Sequence, residues 1–211
     1  MDEQQYRYFI LNKPSGMESQ FVSPYEGPLL GDIDFDFPEG THAIGRLDKN
    51  SEGLLLLTTN KKITKLLFEI NRGHERTYLV QVRHKVNAEN LQRLRSGVNI
   101  RIRGGHQYTS LPVSVNIVDA PVDIFPSPFQ IHKNVKTTWL QITLTEGKYH
   151  QVRKMVAAAG HRCIRLIRIS IENLLLGDLQ PGKIKEMSEE DFFGLLKLKI
   201  DVDDKNKKAI I

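Results

Sequence analysis

The chain has very little cysteine: Cys163 is the one cysteine among its 211 residues. A single thiol excludes an internal disulfide and is typical of proteins from a reducing compartment. Cys163 stands in an apolar run, so we expect a small core residue rather than a nucleophile. The sequence also lacks a cysteine and histidine metal cluster, a P-loop and a glycine-rich dinucleotide motif. These absences exclude the commonest signatures of zinc, ATP and NAD binding.

Long apolar segments are also absent. No stretch approaches the roughly 20 apolar residues that a membrane-spanning helix needs. The first seven residues are polar and charged, unlike the apolar centre of a signal peptide. We therefore predict a soluble, cytoplasmic protein without a membrane segment. Hydrophobic residues make up 40% of the chain and charged residues 26%, which favours a folded core over bulk disorder.

Positive charge is concentrated in two segments of a chain whose net charge is +5. Residues 147–171 hold six Lys or Arg residues and no acid, and residues 72–103 hold eight against two acids. The cations of the first segment are Lys148, Arg153, Lys154, Arg162, Arg165 and Arg168. A run of charge is usually a solvated face, but stripes of this kind also suit binding of a phosphate backbone.

The pattern of apolar residues predicts strands interleaved with short helices. Strands are expected at 6–11, 54–57, 77–83, 98–102, 138–144 and 163–171. Short helices are expected after a cap at Thr59 or Asn60, from Asn87 to Gly97, over 152–159 and after Ser188, with a loop at 119–130. Because the order lacks a regular βαβ period, we predict an α+β fold. Its sheet should be mixed and mostly antiparallel, with short helices and loops around it.

The most informative segment is GRLDKNSEGLLLL at residues 45–57. A charged loop bounded by glycines runs directly into a buried strand. Asp48 therefore lies on a loop held by rigid structure, where catalytic groups often lie. From the residues alone another interpretation stays open, in which Asp48, Asn50 and Ser51 only cap a turn.

Residues 45–60, GRLDKNSEGLLLLTTN, closely resemble the signature of the RsuA-type pseudouridine synthases, which modify single uridines in ribosomal RNA. Three more segments resemble motifs of that family in the same order: ILNKPSGMESQF, ERTYLVQV and EGKYHQVRKMVAAAGHRCIRLIRISI. The resemblance covers roughly residues 6–190. It implies the pseudouridine synthase fold and an isomerisation in which uracil is detached, rotated and rejoined through carbon. Such a reaction requires no metal, reductant or nucleotide cofactor.

The resemblance assigns three catalytic residues. Asp48 falls on the essential aspartate of the family, which attacks the target nucleotide. Tyr78 falls on a tyrosine expected to stack on the flipped base. Arg153 falls on a basic residue expected to pair with Asp48 and keep it ionised. The alternatives are an inward-facing strand aromatic for Tyr78 and a phosphate contact for Arg153.

The resemblance also implies residues that bind the substrate. Arg46 lies two residues before Asp48, where related synthases use an arginine to displace or replace the flipped base. Leu166 lines up with an apolar residue that packs the pocket, although an ordinary core leucine is an alternative. Four further cations are expected around the substrate: Lys148, Lys154, Arg165 and Arg168. No metal ligands are expected.

One departure from the family concerns the N-terminus. Many members carry an S4-type RNA-binding domain there, but here the opening strand begins at about Tyr6. This resembles the shorter RluE-type branch, which acts on large-subunit ribosomal RNA. We thus expect a catalytic domain at 1–196, a charged tail at 197–211 and a monomer. The expected partner is 23S ribosomal RNA, free or in an assembling large subunit. A transfer RNA pseudouridine synthase and a non-catalytic ribosome-assembly factor remain alternatives.

Overall fold

The computed structural model describes residues 5–69, 73–122, 124–130, 132 and 134–198. Its strands are β1 (Tyr8–Lys13), β2 (His42–Ile44), β3 (Glu52–Thr58), β4 (Arg76–Arg83), β5 (Val98–Arg101), β6 (Gln107–Ser110), β7 (Ser114–Val118), β8 (Thr137–Leu144), β9 (Cys163–Ile171), β10 (Leu174–Leu175) and β11 (Ile184–Met187). Its α-helices are α1 (Lys62–Glu69), α2 (Ala88–Arg95), α3 (Gln151–Ala158) and α4 (Glu189–Leu195).

One large sheet organises the fold. Its strands lie in the order β11-β1-β3-β9-β4-β8-β7, with β2 beside β3 and β10 beside β9. The pairing of β3 with β9 is parallel, and the other pairings in this sheet are antiparallel. β5 and β6 form a separate two-stranded hairpin. The prediction of an α+β fold with a mixed, mostly antiparallel sheet is confirmed.

The large sheet is covered on both faces, which explains its continuous apolar strands. In β3, Leu55 and Leu57 pack into one core cluster while Leu54 and Leu56 pack into another. The first cluster includes buried residues of α2, α3 and the β5–β6 hairpin. The second includes buried residues of α1 and α4. A strand buried on both sides cannot show the apolar and polar alternation of a half-exposed strand.

The predicted helix starts match the structure. The side chain of Asn87 accepts a hydrogen bond from the backbone of Asn90 at the start of α2. Ser188 accepts one from the backbone of Asp191 at the start of α4. The spacing of Val152 and Met155 predicted α3, and both side chains are buried. None of the described helices has the length and apolar content needed to cross a bilayer.

The ends of the predicted segments need some adjustment. β5 ends at Arg101, one residue earlier than expected, and Arg103 lies in the following turn. The chain also stays folded past residue 196, because Leu198 is buried and Lys197 pairs with Glu172. Residues 199–211 of the expected tail, and the side chain of Leu66 in α1, lie outside the described residues.

Candidate active site

A cavity of about 670 Å³ lies beside the loop that precedes β3. Six of the nine predicted site residues line it: Arg46, Asp48, Tyr78, Lys148, Leu166 and Arg168. They come from the loop before β3, from β4, from the loop before α3 and from β9. The other three predicted residues, Arg153, Lys154 and Arg165, do not line it. Four segments far apart in sequence therefore converge on one cavity.

The loop that carries Asp48 is anchored on both sides of the carboxylate. Before it, the hydroxyl of Ser19 accepts from the backbone N–H of Leu47 at 3.0 Å and donates to its carbonyl at 2.8 Å. After it, the backbone N–H of Ser51 donates to the carbonyl of Asp48 at 2.9 Å. A carboxylate fixed in this way loses little conformational freedom when it meets a substrate.

The buried side chain of Lys13 also holds this loop in place. Its side chain is fully buried, and its ammonium donates to the carbonyls of Pro14, Met17 and Lys49. Burial lowers the pKa of Lys13 to about 8, although Glu18 is among the acids that raise it. The sequence predicted no role for this lysine, which is the last residue of β1. A charged residue at the end of a strand gives no sign in the sequence that its side chain will be enclosed.

Gly53 lets β3 approach β9 closely next to the loop. Its φ is +100°, and an added Cβ would lie 2.3 Å from the carbonyl oxygen of Arg168. Only glycine fits both this backbone conformation and this separation. Gly53, the second residue of β3, therefore lets this strand lie directly against Arg168.

His150 is the basic side chain that contacts Asp48 in this structure. Its Nε2 lies 3.6 Å from Oδ1 of Asp48, and the two side chains are 40% and 26% exposed. The backbone of His150 is left-handed, with φ 55°, immediately before α3. Its ring stacks on Tyr149 with the centroids 3.9 Å apart. The sequence predicted no contact between this histidine and Asp48, because neither the spacing of His150 nor its neighbours indicate such a turn.

The predicted pairing of Arg153 with Asp48 is not formed. One nitrogen of the guanidinium donates to the carbonyl of Asn50 at 2.7 Å, and another lies 3.6 Å from the sulfur of Cys163. Arg153 projects from the first turn of α3 onto the peptide two residues after Asp48, so it reaches the backbone of the loop and not the carboxylate.

Arg168 is a buried arginine that lines the cavity together with Asp48 and Tyr78. It lies opposite Tyr78 in the pairing of β4 with β9, and its Nε donates to the carbonyl of Leu54 at 2.8 Å. Its Nη2 is buried and has no hydrogen-bond partner within the described part of the chain. Burial lowers the pKa of Arg168, whereas Tyr78 and Asp48 raise it. A buried guanidinium with a free donor is a strong anchor for a carboxylate or a substrate oxygen.

Tyr78 and Leu166 form the apolar part of the cavity wall. Both are buried, and both belong to the core cluster that includes residues of α2 and α3. Leu166 pairs with Val80, two residues after Tyr78, so the side chains of Tyr78 and Leu166 lie near each other on neighbouring strands. The prediction that each contributes to the pocket agrees with their place in it.

Arg165, which was expected to lie around the substrate, is buried in an ion pair. Its guanidinium contacts the carboxylate of Glu52 at 2.8 and 3.1 Å, with both side chains no more than 3% exposed. It also donates to the carbonyls of Phe125 and Pro126. Arg165 was expected among the cations around the substrate, but next to the parallel pairing of β3 with β9 its guanidinium is enclosed with Glu52 and does not line the cavity.

The two lysines differ in their surroundings. Lys148 is exposed at the cavity wall, with its ammonium 5.1 Å from the ring centroid of Tyr108. Lys154 lies away from the cavity, where it donates to the carbonyl of Arg101 at 2.7 Å and lies over the ring of Tyr149. Arg46 is exposed at the rim.

Comparisons with known proteins agree with this geometry. Residues 7–158 match the family described as RNA pseudouridylate synthase. The chain is 36% identical over 189 residues to the ribosomal large subunit pseudouridine synthase E of Vibrio parahaemolyticus, covering 89% of this chain and 76% of that protein. It is 29% identical over 186 residues to the ribosomal small subunit pseudouridine synthase A of Yersinia pestis, covering 88% and 72%. A crystal structure of a pseudouridylate synthase superimposes with a TM-score of 0.73 at 26% identity, covering 92% of this chain and 76% of that one. The chain belongs to the RNA pseudouridine synthase family.

Proposed function

We propose that this protein converts a uridine of large-subunit (23S) ribosomal RNA to pseudouridine. The observation that carries the proposal is the convergence of Asp48, Tyr78 and Arg168 on one cavity in a chain of this family. The choice of RNA rests on the relatives: the large-subunit enzyme is 36% identical to this chain and the small-subunit enzyme 29%.

The reaction rearranges bonds within one nucleotide. The N1–C1′ bond of uridine breaks, a C5–C1′ bond forms, C5 gives up its hydrogen and N1 takes up a proton, so no atom is gained or lost. Asp48 is the nucleophilic carboxylate that starts the detachment. Its rigid loop presents the carboxylate to the cavity, where the positive charge of Arg168 attracts it.

The cavity suits a nucleotide that has left its helix. A volume of about 670 Å³ lies within the range of small-ligand sites. Tyr78 offers an aromatic ring on which a flipped uracil regains stacking. Leu166 packs beside it, and Arg46 stands at the rim, where it takes the position that the flipped base has left in the RNA.

Arg153 acts on the loop and not on the carboxylate. By donating to Asn50, its guanidinium holds the peptide that follows Asp48. We assign to it the positioning of the loop, and to Arg168 the electrostatic support of Asp48. This division replaces the single Asp48–Arg153 pair that the sequence predicted.

The experiment is tritium release from RNA that carries 5-tritiated uridine. Unmodified 23S, 16S and transfer RNA are incubated with wild type, with Asp48→Asn and with Asp34→Asn, which removes an exposed carboxylate outside the cavity. We expect wild type and Asp34→Asn to release tritium from 23S RNA, and Asp48→Asn to release none while it still binds that RNA.

Each of the other outcomes contradicts a different part of the proposal. Near-normal activity of Asp48→Asn overturns the assignment of the nucleophile. Release from transfer RNA alone makes the protein a transfer RNA pseudouridine synthase. Tight binding without release, on free RNA and on precursor large subunits, makes it a non-catalytic assembly factor.

A further inference from the structure

The β5–β6 hairpin ends in an exposed basic turn. Arg101 pairs with Gln107 at the last position of the ladder, and the backbone N–H of Ile102 donates to the carbonyl of His106 at 2.9 Å. The side chains of Arg101, Arg103 and His106 are exposed. No Asp or Glu occurs in the sequence between residues 90 and 118. The tip therefore presents positive charge without an acid of its own segment to neutralise it.

The guanidinium of Arg101 lies close to the backbone of the turn. Gly105 has φ +84°, and a Cβ there would lie 3.2 Å from Nη2 of Arg101. The guanidinium therefore lies across a residue without a side chain. An anion that binds here can contact both the arginine and the nearby peptide, since nothing projects between them.

The hairpin is fixed to the wall of the cavity by buried contacts. The side-chain amide of Gln151 donates to the hydroxyl of Ser110 at 2.6 Å, and that hydroxyl lies 3.2 Å from the sulfur of Met155. The hydroxyl of Tyr108 donates to the carboxylate of Glu146. Residues 144–152 line the cavity, so these bonds tie β6 to the segment that carries His150.

A second connection joins β5 to α3. The ammonium of Lys154 donates to the carbonyl of Arg101 at 2.7 Å, and Lys148 lies over the ring of Tyr108. The cations of the hairpin thus continue the positive surface that begins at the cavity with Lys148. Because the contacts of Ser110 with Gln151 and Met155 are buried, the hairpin and the cavity wall hold a fixed relative position.

We propose that the β5–β6 hairpin is an arm that binds the phosphate backbone of the RNA strand that carries the target uridine. This inference rests on the proposed function, because it takes the substrate to be RNA. A flipped nucleotide in the cavity leaves its neighbouring phosphates outside, next to Lys148 and the arm. Contacts to phosphates fix the register of the strand without reading its sequence. Arg101 and Arg103 supply two such contacts.

The test compares two double variants that remove the same charge. Arg101→Ala/Arg103→Ala alters the tip of the arm. Lys61→Ala/Lys185→Ala alters two exposed lysines elsewhere on the surface. Lys61 lies before α1, and Lys185 lies on β11, the edge strand at the opposite end of the sheet from β7. Filter binding of unmodified 23S RNA is measured at several salt concentrations, and tritium release gives KM and kcat. Thermal melting confirms that each variant is folded.

We expect the arm variant to bind RNA about tenfold more weakly at moderate salt, with a salt slope smaller in magnitude by about one to two. Its KM should rise in proportion, while kcat at saturating RNA stays at the wild-type value. The lysine variant should match wild type in all of these measurements.

Two outcomes would overturn the proposal that the hairpin binds the phosphate backbone. One is wild-type affinity and slope in Arg101→Ala/Arg103→Ala; the other is an equal loss in Lys61→Ala/Lys185→Ala, which would show a general effect of net charge. Failure of the proposed function looks different, since wild type itself would then release no tritium from any RNA.

Discussion

His150 and Asp48 line the same cavity and contact each other, with 3.6 Å between the imidazole Nε2 and Oδ1 of the carboxylate. The contact depends on a left-handed residue at the start of α3, a conformation that is costly for a side chain other than glycine. Stacking on Tyr149 holds the ring in place. Since both side chains are partly exposed, the contact is weak in the free protein, and it should strengthen when a nucleotide excludes water.

The first prediction concerns this contact. His150→Phe keeps an aromatic ring for Tyr149 and removes the imidazole nitrogen beside Asp48. We expect kcat to fall about fivefold, because a partly exposed polar contact of this kind contributes about 1 kcal/mol. KM should change little, and His150→Arg should restore part of the loss. Single-turnover tritium release measures the step directly. A wild-type rate for His150→Phe would show that the contact has no catalytic effect.

The second prediction separates Arg168 from Arg153. Removal of one preorganised donor from a reaction centre lowers kcat by about 100- to 1,000-fold, so Arg168→Met should lower kcat by at least about 100-fold. Arg153→Met removes a bond to a backbone carbonyl and should lower kcat by less than about tenfold. Both variants are compared by tritium release after circular dichroism confirms folding. A larger loss in Arg153→Met would return the main electrostatic role to that residue.

The third prediction tests the buried role of Arg165. Arg165→Met leaves the carboxylate of Glu52 buried and unpaired, and should lower the free energy of unfolding by about 3–5 kcal/mol. Glu52→Leu/Arg165→Met removes both charges and should recover most of that loss. Urea unfolding gives the stabilities. At temperatures where Arg165→Met is folded, its affinity for RNA should equal that of wild type. A clear loss of affinity in the folded variant would mean that Arg165 contacts the substrate.

The fourth prediction is a pH dependence of stability from Lys13. Burial lowers the pKa of this lysine to about 8 in the folded protein, against 10.5 for an exposed lysine. Between these two values the unfolded chain binds more protons than the folded one. The contribution of Lys13 to the free energy of unfolding therefore rises with pH, by up to about 1.4 kcal/mol per pH unit.

The measurement compares wild type with Lys13→Met by urea unfolding at several pH values. Subtraction of the two curves removes the other titrating groups, which the two proteins share. The difference should move in favour of wild type as pH rises from about 8, and level off near 10.5. A difference that is flat or falls over this interval would contradict the assigned cost of burying the ammonium.

The sequence by itself determined the local features of this protein. The caps at Asn87 and Ser188 start helices where the side chain of each reaches a backbone N–H three residues on. The apolar run of Leu54–Leu57 makes a strand buried on both faces. The motifs around Asp48 and Tyr78 indicated the family. These features depend on residues close together in the chain, so a pattern in the sequence can show them.

Only the tertiary structure decided which cations serve the site. Lys148, Arg153, Arg165 and Arg168 lie within one basic segment, and their spacing does not distinguish them. The parallel pairing of β3 with β9 encloses Arg165 with Glu52 and brings Arg168 to the cavity. The turn before α3 directs Arg153 to a carbonyl and leaves His150 at Asp48. Burial and pairing arise from segments far apart in sequence, and the charge of a residue alone does not reveal them.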